Sequence, residues 1–83
     1  MDRKQMLKDF IVSDLLNGAA SGTPADEQDL LLSGLVDSLG VVRMIAFIEQ
    51  TMAVSVPIED VTLENFQTIE RIASYIQRQS LNK

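Results

Sequence analysis

The stretch 39–52 constrains the fold more than any other part of the sequence, because it contains no proline and only one glycine and has helical periodicity. One set of apolar residues repeats at steps of four, three and four and predicts a buried stripe: Val41, Ile45, Ile48 and Met52. A second apolar set, here called the outer stripe, lies on a different side of the same helix: Leu39, Val42 and Ala46. A helix in a small monomer buries one broad face, so the outer stripe is either covered by a loop or left for a partner.

Three more helices are predicted around this one. Apolar residues recur every three or four positions over 3–17, where Asp2 is expected to cap the helix, with Gln5 at its third position, and Asn17-Gly18 to end it. The stretch 62–66 is long enough for one or two helical turns, and Thr68 can cap a last helix. The apolar residues of that helix fall on one face: Ile69, Ile72, Ala73 and Ile76.

A long loop is predicted between the first two helices, because the sequence after Gly18 is rich in small residues, glycine and proline. Four leucines are expected to pin this loop to the core: Leu30, Leu31, Leu32 and Leu35. The chain has 83 residues, 46% of them hydrophobic and 5% aromatic, which suits one domain with an aliphatic core. We therefore predict an all-α fold over 1–83: a monomeric four-helix bundle with three main helices, one short third helix and a long first loop.

The absence of Cys and His removes most independent catalytic chemistry. It excludes a disulfide, a thiolate or imidazole metal site, a Cys nucleophile and a Ser-His-Asp triad, so we predict neither an enzyme nor a metal site. The net charge is −5, but 9–70 holds eleven acidic residues and one basic residue, Arg43, which disfavours nucleic acid as a partner. No apolar run is long enough to cross a membrane and no export signal follows Met1, which predicts a cytoplasmic protein.

Asp37 and Ser38 stand at the predicted start of the helix over 39–52, where either side chain can serve as the N-cap. A Ser hydroxyl at a helix start is also exposed, and it lies where the helix dipole and the unpaired amides stabilise a negative group. Ser38 is therefore interpreted in two compatible ways, as a capping residue and as a possible attachment point for a phosphodiester.

The order of motifs around Ser38 resembles the acyl carrier protein and peptidyl carrier protein family. The resemblance spans roughly residues 5–78 and is carried by Gly34-Leu35-Val36-Asp37-Ser38-Leu39, the helix to Met52, Val56-Pro57, and Phe66-Gln67-Thr68-Ile69. It implies that Ser38 is the attachment site of 4′-phosphopantetheine, installed from coenzyme A by a phosphopantetheinyl transferase. It also implies that Asp37 helps to position the transferase's Mg²⁺. The arm would supply the thiol that the chain lacks and hold an acyl or aminoacyl group as a thioester.

Departures from the family pattern indicate the type of carrier. Fatty-acid carriers usually have Leu-Gly before the Asp-Ser pair and a second helix rich in Glu, whereas this chain has Gly34-Leu35-Val36. The corresponding helix surface carries a single acid among its small, basic and amide residues: Gly40, Arg43, Glu49 and Gln50. The chain is therefore more similar to discrete carriers of aminoacyl, D-alanyl or specialised-metabolite pathways. Such a carrier is loaded by an adenylating acyl or aminoacyl ligase and then served by a tailoring or transfer enzyme.

Partner recognition is predicted on the outer stripe and the adjoining base: Leu39, Val42, Arg43 and Ala46. Two alternatives stay open: an unmodified helical interaction module whose outer stripe docks a partner helix, and an acyl carrier protein of fatty-acid synthesis. In the family, residues between the second and third helices can also line a cavity for an acyl chain.

Other residues are given structural roles. Asp26, Glu27 and Asp29 are expected to be solvated, since the EF-hand pattern is absent. Tyr75 is expected to be partly buried with its hydroxyl in water. Three acids are expected either to cap the short third segment or to meet a basic partner: Glu59, Asp60 and Glu64. Six apolar residues are expected in the core: Met44, Phe47, Ile48, Val61, Leu63 and Phe66.

Overall fold

The computed structural model describes residues 2–15 and 24–81, and its elements are all helical. In chain order they are α1 (Arg3–Phe10), a π-helical turn (Ile11–Leu15), α2 (Ser38–Met52), a 3-10 turn (Ile58–Asp60), α3 (Leu63–Phe66) and α4 (Ile69–Leu81). No strand occurs within 2–15 and 24–81. The predicted all-α bundle with a short third helix is confirmed. Asn17 and Gly18, predicted to end the first helix, lie outside the described residues.

Helix α1 begins differently from the predicted capping arrangement. Asp2 occupies the N-cap position, but its side chain makes no capping hydrogen bond, and only its carbonyl oxygen accepts from the Met6 amide, at 3.0 Å. Gln5 instead donates to the Asp9 carboxylate one turn further along the helix, at 2.9 Å. The prediction of a capping box at Asp2 is therefore wrong, because Gln5 has a competing acceptor on the helix itself.

Polar contacts hold the described part of the first loop to the bundle. The Asp29 carboxylate accepts hydrogen bonds from the Leu31 and Leu32 amides, at 3.0 and 2.8 Å, and from the Gln67 side chain, at 3.1 Å. Partial burial disfavours the charge of Asp29, but these hydrogen bonds outweigh it and hold the pKa of Asp29 below its usual value. The expectation of a merely solvated Asp29 is wrong.

Ion pairs join the same loop to α1, and α1 to α4. Lys8 pairs with Asp26, and Lys4 pairs with Asp26 at 3.4 Å and with Glu70 at 2.8 Å. The hydrogen bond from Lys8 lowers the pKa of Asp26 against the opposing effect of partial burial, and the Glu70 carboxylate raises the pKa of Lys4. Asp26 is thus a tether between the loop and α1, which corrects its expected role as a solvated loop acid. Glu27 is exposed, as expected.

One apolar core joins every helix and the loop. Its largest fully buried side chains are Leu7, Ile11, Leu30, Met44, Ile48, Phe66, Ile69, Ile72 and Ile76. Phe10 and Phe47 stack with their ring centroids 4.4 Å apart and connect α1 to α2. Two core predictions are wrong, because Leu32 is 70% exposed and Leu63 is 45% exposed. Phe47 and Val61 are only partly buried.

Helix α2 buries a face rotated away from the predicted stripe. The buried residues are Gly40, Met44 and Ile48, whereas the other members of the predicted stripe are only half-buried: Val41, Ile45 and Met52. The physical reason is that apolar side chains surround α2 on most of its circumference, so hydropathy alone does not select one face. Gly40 has no side chain to mark the buried side, and its expected place on the exposed surface is corrected.

Candidate functional site

Ser38 is the first residue of α2, and Asp37 precedes it as the N-cap. The Asp37 backbone is extended (φ −90°, ψ −176°), and its carboxylate accepts a hydrogen bond from the Gly40 amide at 2.8 Å. The Asp37 carbonyl oxygen accepts from the Val41 amide at 2.9 Å. Of the two candidate caps it is therefore Asp37 that serves, and the helix begins one residue earlier than predicted.

Because Asp37 is the cap, the Ser38 hydroxyl has no structural task. Ser38 is exposed, and within residues 2–15 and 24–81 its hydroxyl has no hydrogen-bond partner. It stands at the positive end of the α2 dipole, beside amides that have no acceptor inside the helix. A hydroxyl in this position can be esterified without the loss of any contact, and a phosphodiester there gains from the helix end.

The chain reaches Ser38 through a tight turn anchored in the core. The Gly34 amide donates to the Leu31 carbonyl oxygen at 3.1 Å, and the Val36 amide donates to that of Leu30 at 2.8 Å. Gly34 has a φ of +80°, and a Cβ atom at Gly34 would meet nothing within 4 Å, so the backbone conformation rather than a lack of space requires glycine. Val36 is only 3% exposed, so the residue two positions before Ser38 is fixed in the core.

An apolar groove of about 560 Å³ opens beside Ser38, between α2 and the 3-10 turn. Its lining includes Ser38, Val41 and Ile45 on one side and Ile58 and Val61 on the other. Ile58 is 82% exposed and lies outside the residues that the sequence predicts for the core or the site. Its sequence signal is a large apolar residue directly after Val56-Pro57 and before two acids, outside any helical periodicity.

The outer stripe is uncovered. Leu39 is 67% exposed, Val42 is 62% exposed, and Ala46 is exposed as well. Within the part of the chain that the structure describes, the alternative of a covering loop is therefore wrong. The stripe follows Ser38 along α2, and its assignment to partner recognition stays a prediction.

Helix α2 offers a partner little negative charge. Arg43 is exposed next to the outer stripe, and no ion pair to it occurs among the described residues. Glu49, the only acid of α2, accepts a hydrogen bond from the Val56 amide at 2.9 Å. The exposed face of α2 therefore presents one free cation and one carboxylate, which already accepts a hydrogen bond through one of its oxygens.

Two kinds of site have no representative in residues 2–15 and 24–81. None of the carboxylates there lie in a group of three or more that could hold a metal ion. No helix in the same residues has the length and apolar character to span a bilayer.

A comparison with known protein families matches most of this chain. The model of the family described as "Phosphopantetheine attachment site" matches residues 11–76, which include the Ser38 turn, α2, the groove and most of α4. The chain belongs to the phosphopantetheine attachment site family. Its members carry 4′-phosphopantetheine covalently bound to a serine, so the predicted carrier-protein resemblance and its cofactor are confirmed.

The fold of this family member is also found among solved structures. A chain in a structure described as "Crystal structure of FAD-dependent dehydrogenase" is 34% identical, with a TM-score of 0.74, and the match covers 84% of this chain and 97% of that one. No curated protein matches the chain. Because the match covers most of both chains, the bundle of this protein corresponds to nearly all of the solved chain.

Proposed function

We propose that this protein is a thioester carrier in which the Ser38 hydroxyl bears the 4′-phosphopantetheine of its family. The observation that carries the proposal is the pairing of Asp37 and Ser38, because Asp37 caps α2 and leaves an exposed, unbonded hydroxyl at the helix N-terminus. When bound, the cofactor supplies a thiol, which this chain lacks because it contains no Cys. That thiol can form thioesters.

The residues around Ser38 fit this cofactor. The Ser38 Oγ would form the ester bond to phosphorus as the pyrophosphate bond of coenzyme A breaks, and the first amides of α2 would offset the charge of the phosphodiester. The Asp37 carboxylate is exposed and uses one oxygen for the Gly40 amide, which leaves its other oxygen for the transferase's Mg²⁺. The groove beside Ser38 offers an apolar surface to the arm or its cargo.

The chain is proposed to act through separate enzymes and to catalyse nothing itself. A dinucleotide-dependent dehydrogenase builds its nucleotide site on a parallel sheet, and the described residues of this chain contain no sheet. Its similarity to a chain in a structure described as an FAD-dependent dehydrogenase instead supports such an enzyme as a downstream partner. An adenylating acyl or aminoacyl ligase loads the arm, and coenzyme A as donor implies modification in the cytoplasm.

The choice of cargo follows from the surface of α2. A free cation and an engaged carboxylate favour an aminoacyl or specialised-metabolite carrier over a carrier of fatty-acid synthesis, whose partners recognise an acidic helix. The fatty-acid carrier remains the second candidate, because the groove between α2 and the 3-10 turn is apolar.

Intact mass spectrometry tests the proposal. The chain is incubated with coenzyme A and a broad-specificity phosphopantetheinyl transferase, beside the variants Ser38→Ala and Ser74→Ala, the second being an exposed serine on α4. The wild-type chain and Ser74→Ala should each gain one phosphopantetheine, and Ser38→Ala should gain none. Modification of Ser38→Ala would assign the arm to another residue. A wild-type chain that several transferases leave unmodified would favour the unmodified interaction module.

A further inference from the structure

The 3-10 turn that forms one wall of the groove is not held in place by burial. None of its residues, Ile58, Glu59 and Asp60, is buried, and Ile58 is 82% exposed. Val56 and Val61 anchor the chain on either side of the turn, but the turn's own residues gain little from the hydrophobic effect, so their arrangement depends mainly on hydrogen bonds.

Those hydrogen bonds converge on Asp60. The Tyr75 hydroxyl, from α4, donates to the Asp60 carboxylate at 2.6 Å, and the Asn65 side chain, from α3, donates to the Asp60 carbonyl oxygen at 2.9 Å. The Arg78 guanidinium donates to the Asn65 side-chain oxygen at 3.1 Å and lies 6.0 Å from the centre of the Tyr75 ring. Three elements thus meet at the last residue of the turn.

Tyr75 is itself a fixed point. It is 4% exposed, and the centre of its ring lies 5.5 Å from that of Phe66. The next residue, Ile76, is fully buried. Burial, together with the bond to the Asp60 carboxylate, raises the pKa of the Tyr75 phenol, so the hydroxyl keeps its donor proton at neutral pH. The expectation that this hydroxyl is in water is therefore wrong.

We infer that Tyr75 is a positioning residue: its hydroxyl, acting through Asp60, holds Ile58 as the wall of the groove beside Ser38 in the geometry that partner enzymes recognise. The inference rests on the proposed function, since it concerns enzymes that act at Ser38. A buried ring on α4 thereby fixes an exposed apolar side chain across the groove from Ser38. Nothing in the core requires Ile58 to stand there, because its side chain is almost entirely outside the core.

Removal of the hydroxyl tests the inference. Tyr75→Phe keeps the ring, and Asp60→Ala keeps the tyrosine but removes the acceptor. Both should speed amide hydrogen exchange at Ile58–Asp60. In assays with a broad-specificity phosphopantetheinyl transferase, both should raise the KM for the carrier about fivefold or more and leave kcat within about twofold. Asp60→Asn retains a side-chain oxygen as acceptor and should stay close to the wild type in both measurements.

Lys8→Gln is the control for a merely structural effect, because it breaks the Lys8–Asp26 ion pair far along the chain from the turn. It should lower the melting temperature without a change in KM. A double variant supplies the sharper test: if Tyr75 acts through Ile58, Tyr75→Phe should not raise the KM further in an Ile58→Ala background.

The outcomes separate the inference from the proposed function. A wild-type chain that is never modified contradicts the carrier assignment, while amide exchange still tests whether Tyr75 fixes the turn. A wild-type chain modified at Ser38, with Tyr75→Phe equal to it in KM and exchange, overturns the inference alone. An equal rise in KM for Lys8→Gln would reduce the effect of Tyr75 to general stability and would also overturn it. Should Tyr75→Phe fail to fold, Asp60→Ala carries the same test.

Discussion

Asp37 accepts a hydrogen bond from the amide of Gly40, 2.8 Å away, and thereby takes over the capping of α2 from its neighbour Ser38. Under the proposed function, capping and modification thus belong to two adjacent residues, Asp37 and Ser38. This division makes their contributions separable by single substitutions.

Ser38→Ala should leave the free energy of unfolding within about 0.5 kcal/mol of the wild type, because its hydroxyl bonds to nothing in the described residues. Asp37→Ala should cost about 0.5–2 kcal/mol through loss of the cap. Asp37→Asn is the matched variant, since Asn caps as well as Asp but offers no carboxylate to Mg²⁺. For Asp37→Asn, urea unfolding should show the stability of the wild type, whereas transfer of the phosphopantetheine arm should be slow, as it should be for Asp37→Ala. An Asp37→Asn chain modified at the wild-type rate would remove the Mg²⁺ role.

The buried and exposed faces of α2 should respond oppositely to substitution. Ile48→Ala removes a fully buried side chain and should lower the free energy of unfolding by about 2–5 kcal/mol. Ile45→Ala should lower it less, because Ile45 is only half-buried. Val42→Asp should barely change the melting temperature but slow arm transfer, because it places an unpaired charge in the interface. Ser74→Asp adds the same charge on α4 and should change neither the melting temperature nor the rate of arm transfer. A melting temperature that falls with Val42→Asp while arm transfer is unaffected would show that the outer stripe is structural.

Acid should weaken the attachment of the first loop. The pKa values of Asp26 and Asp29 are lowered in the folded state, so their stabilisation is fully present above the unfolded value of about 3.9 and is lost as the pH falls through the folded values. In Lys8→Gln, the largest cause of the Asp26 shift is absent. Unfolding curves between about pH 6 and pH 2 should therefore show a shallower decline for this variant than for the wild type. Parallel curves would mean that the Lys8–Asp26 pair does not form in solution.

Moderate salt should raise the melting temperature, because 9–70 contains eleven acidic residues and only one basic residue. The repulsion among these acids is screened over about 10 Å at 0.1 M salt. The ion pairs of Lys4 act in the opposite sense, since salt also weakens attraction. Lys4→Gln should therefore melt lower than the wild type without added salt and gain more from a NaCl series. A wild-type melting temperature that falls with salt would show that the paired charges outweigh the repulsion.

Local signals in the sequence predicted the helices well, and α2 and α4 begin within a residue of their predicted starts. Both have a capping residue and a long stretch without proline, which are local features. The change from α1 to the π-helical turn is less predictable from sequence. In this turn side chains compete with amides for backbone carbonyl groups, as when the Ser13 hydroxyl donates to the Asp9 carbonyl oxygen.

The site was predictable in sequence position but not in its walls. The motif around Ser38 predicts the hydroxyl that the proposed function uses, and the exposed outer stripe follows from the two apolar faces of α2. Ile58 and Tyr75 acquire their roles through contacts between residues distant in sequence, namely the groove and the bond from Tyr75 to Asp60. No pattern along a single helix records such a contact. The roles of Asp26 and Asp29 are unpredictable for the same reason, since the partners of Asp26 lie in α1 and the side-chain donor to Asp29 is Gln67, at the end of α3.

The hydrogen bond from the Val56 amide to Glu49 matters beyond the segment that it fixes. An enzyme that selects carriers by binding a row of carboxylates finds on α2 a single one, with one oxygen already hydrogen-bonded, and Arg43 exposed on the same helix. Discrimination between partners is a difference of affinities, and an unfavourable charge contact lowers the wrong affinity as effectively as a good contact raises the right one. In a cell that contains several carriers, crosstalk between their pathways would be limited at the first encounter, before any cargo is read.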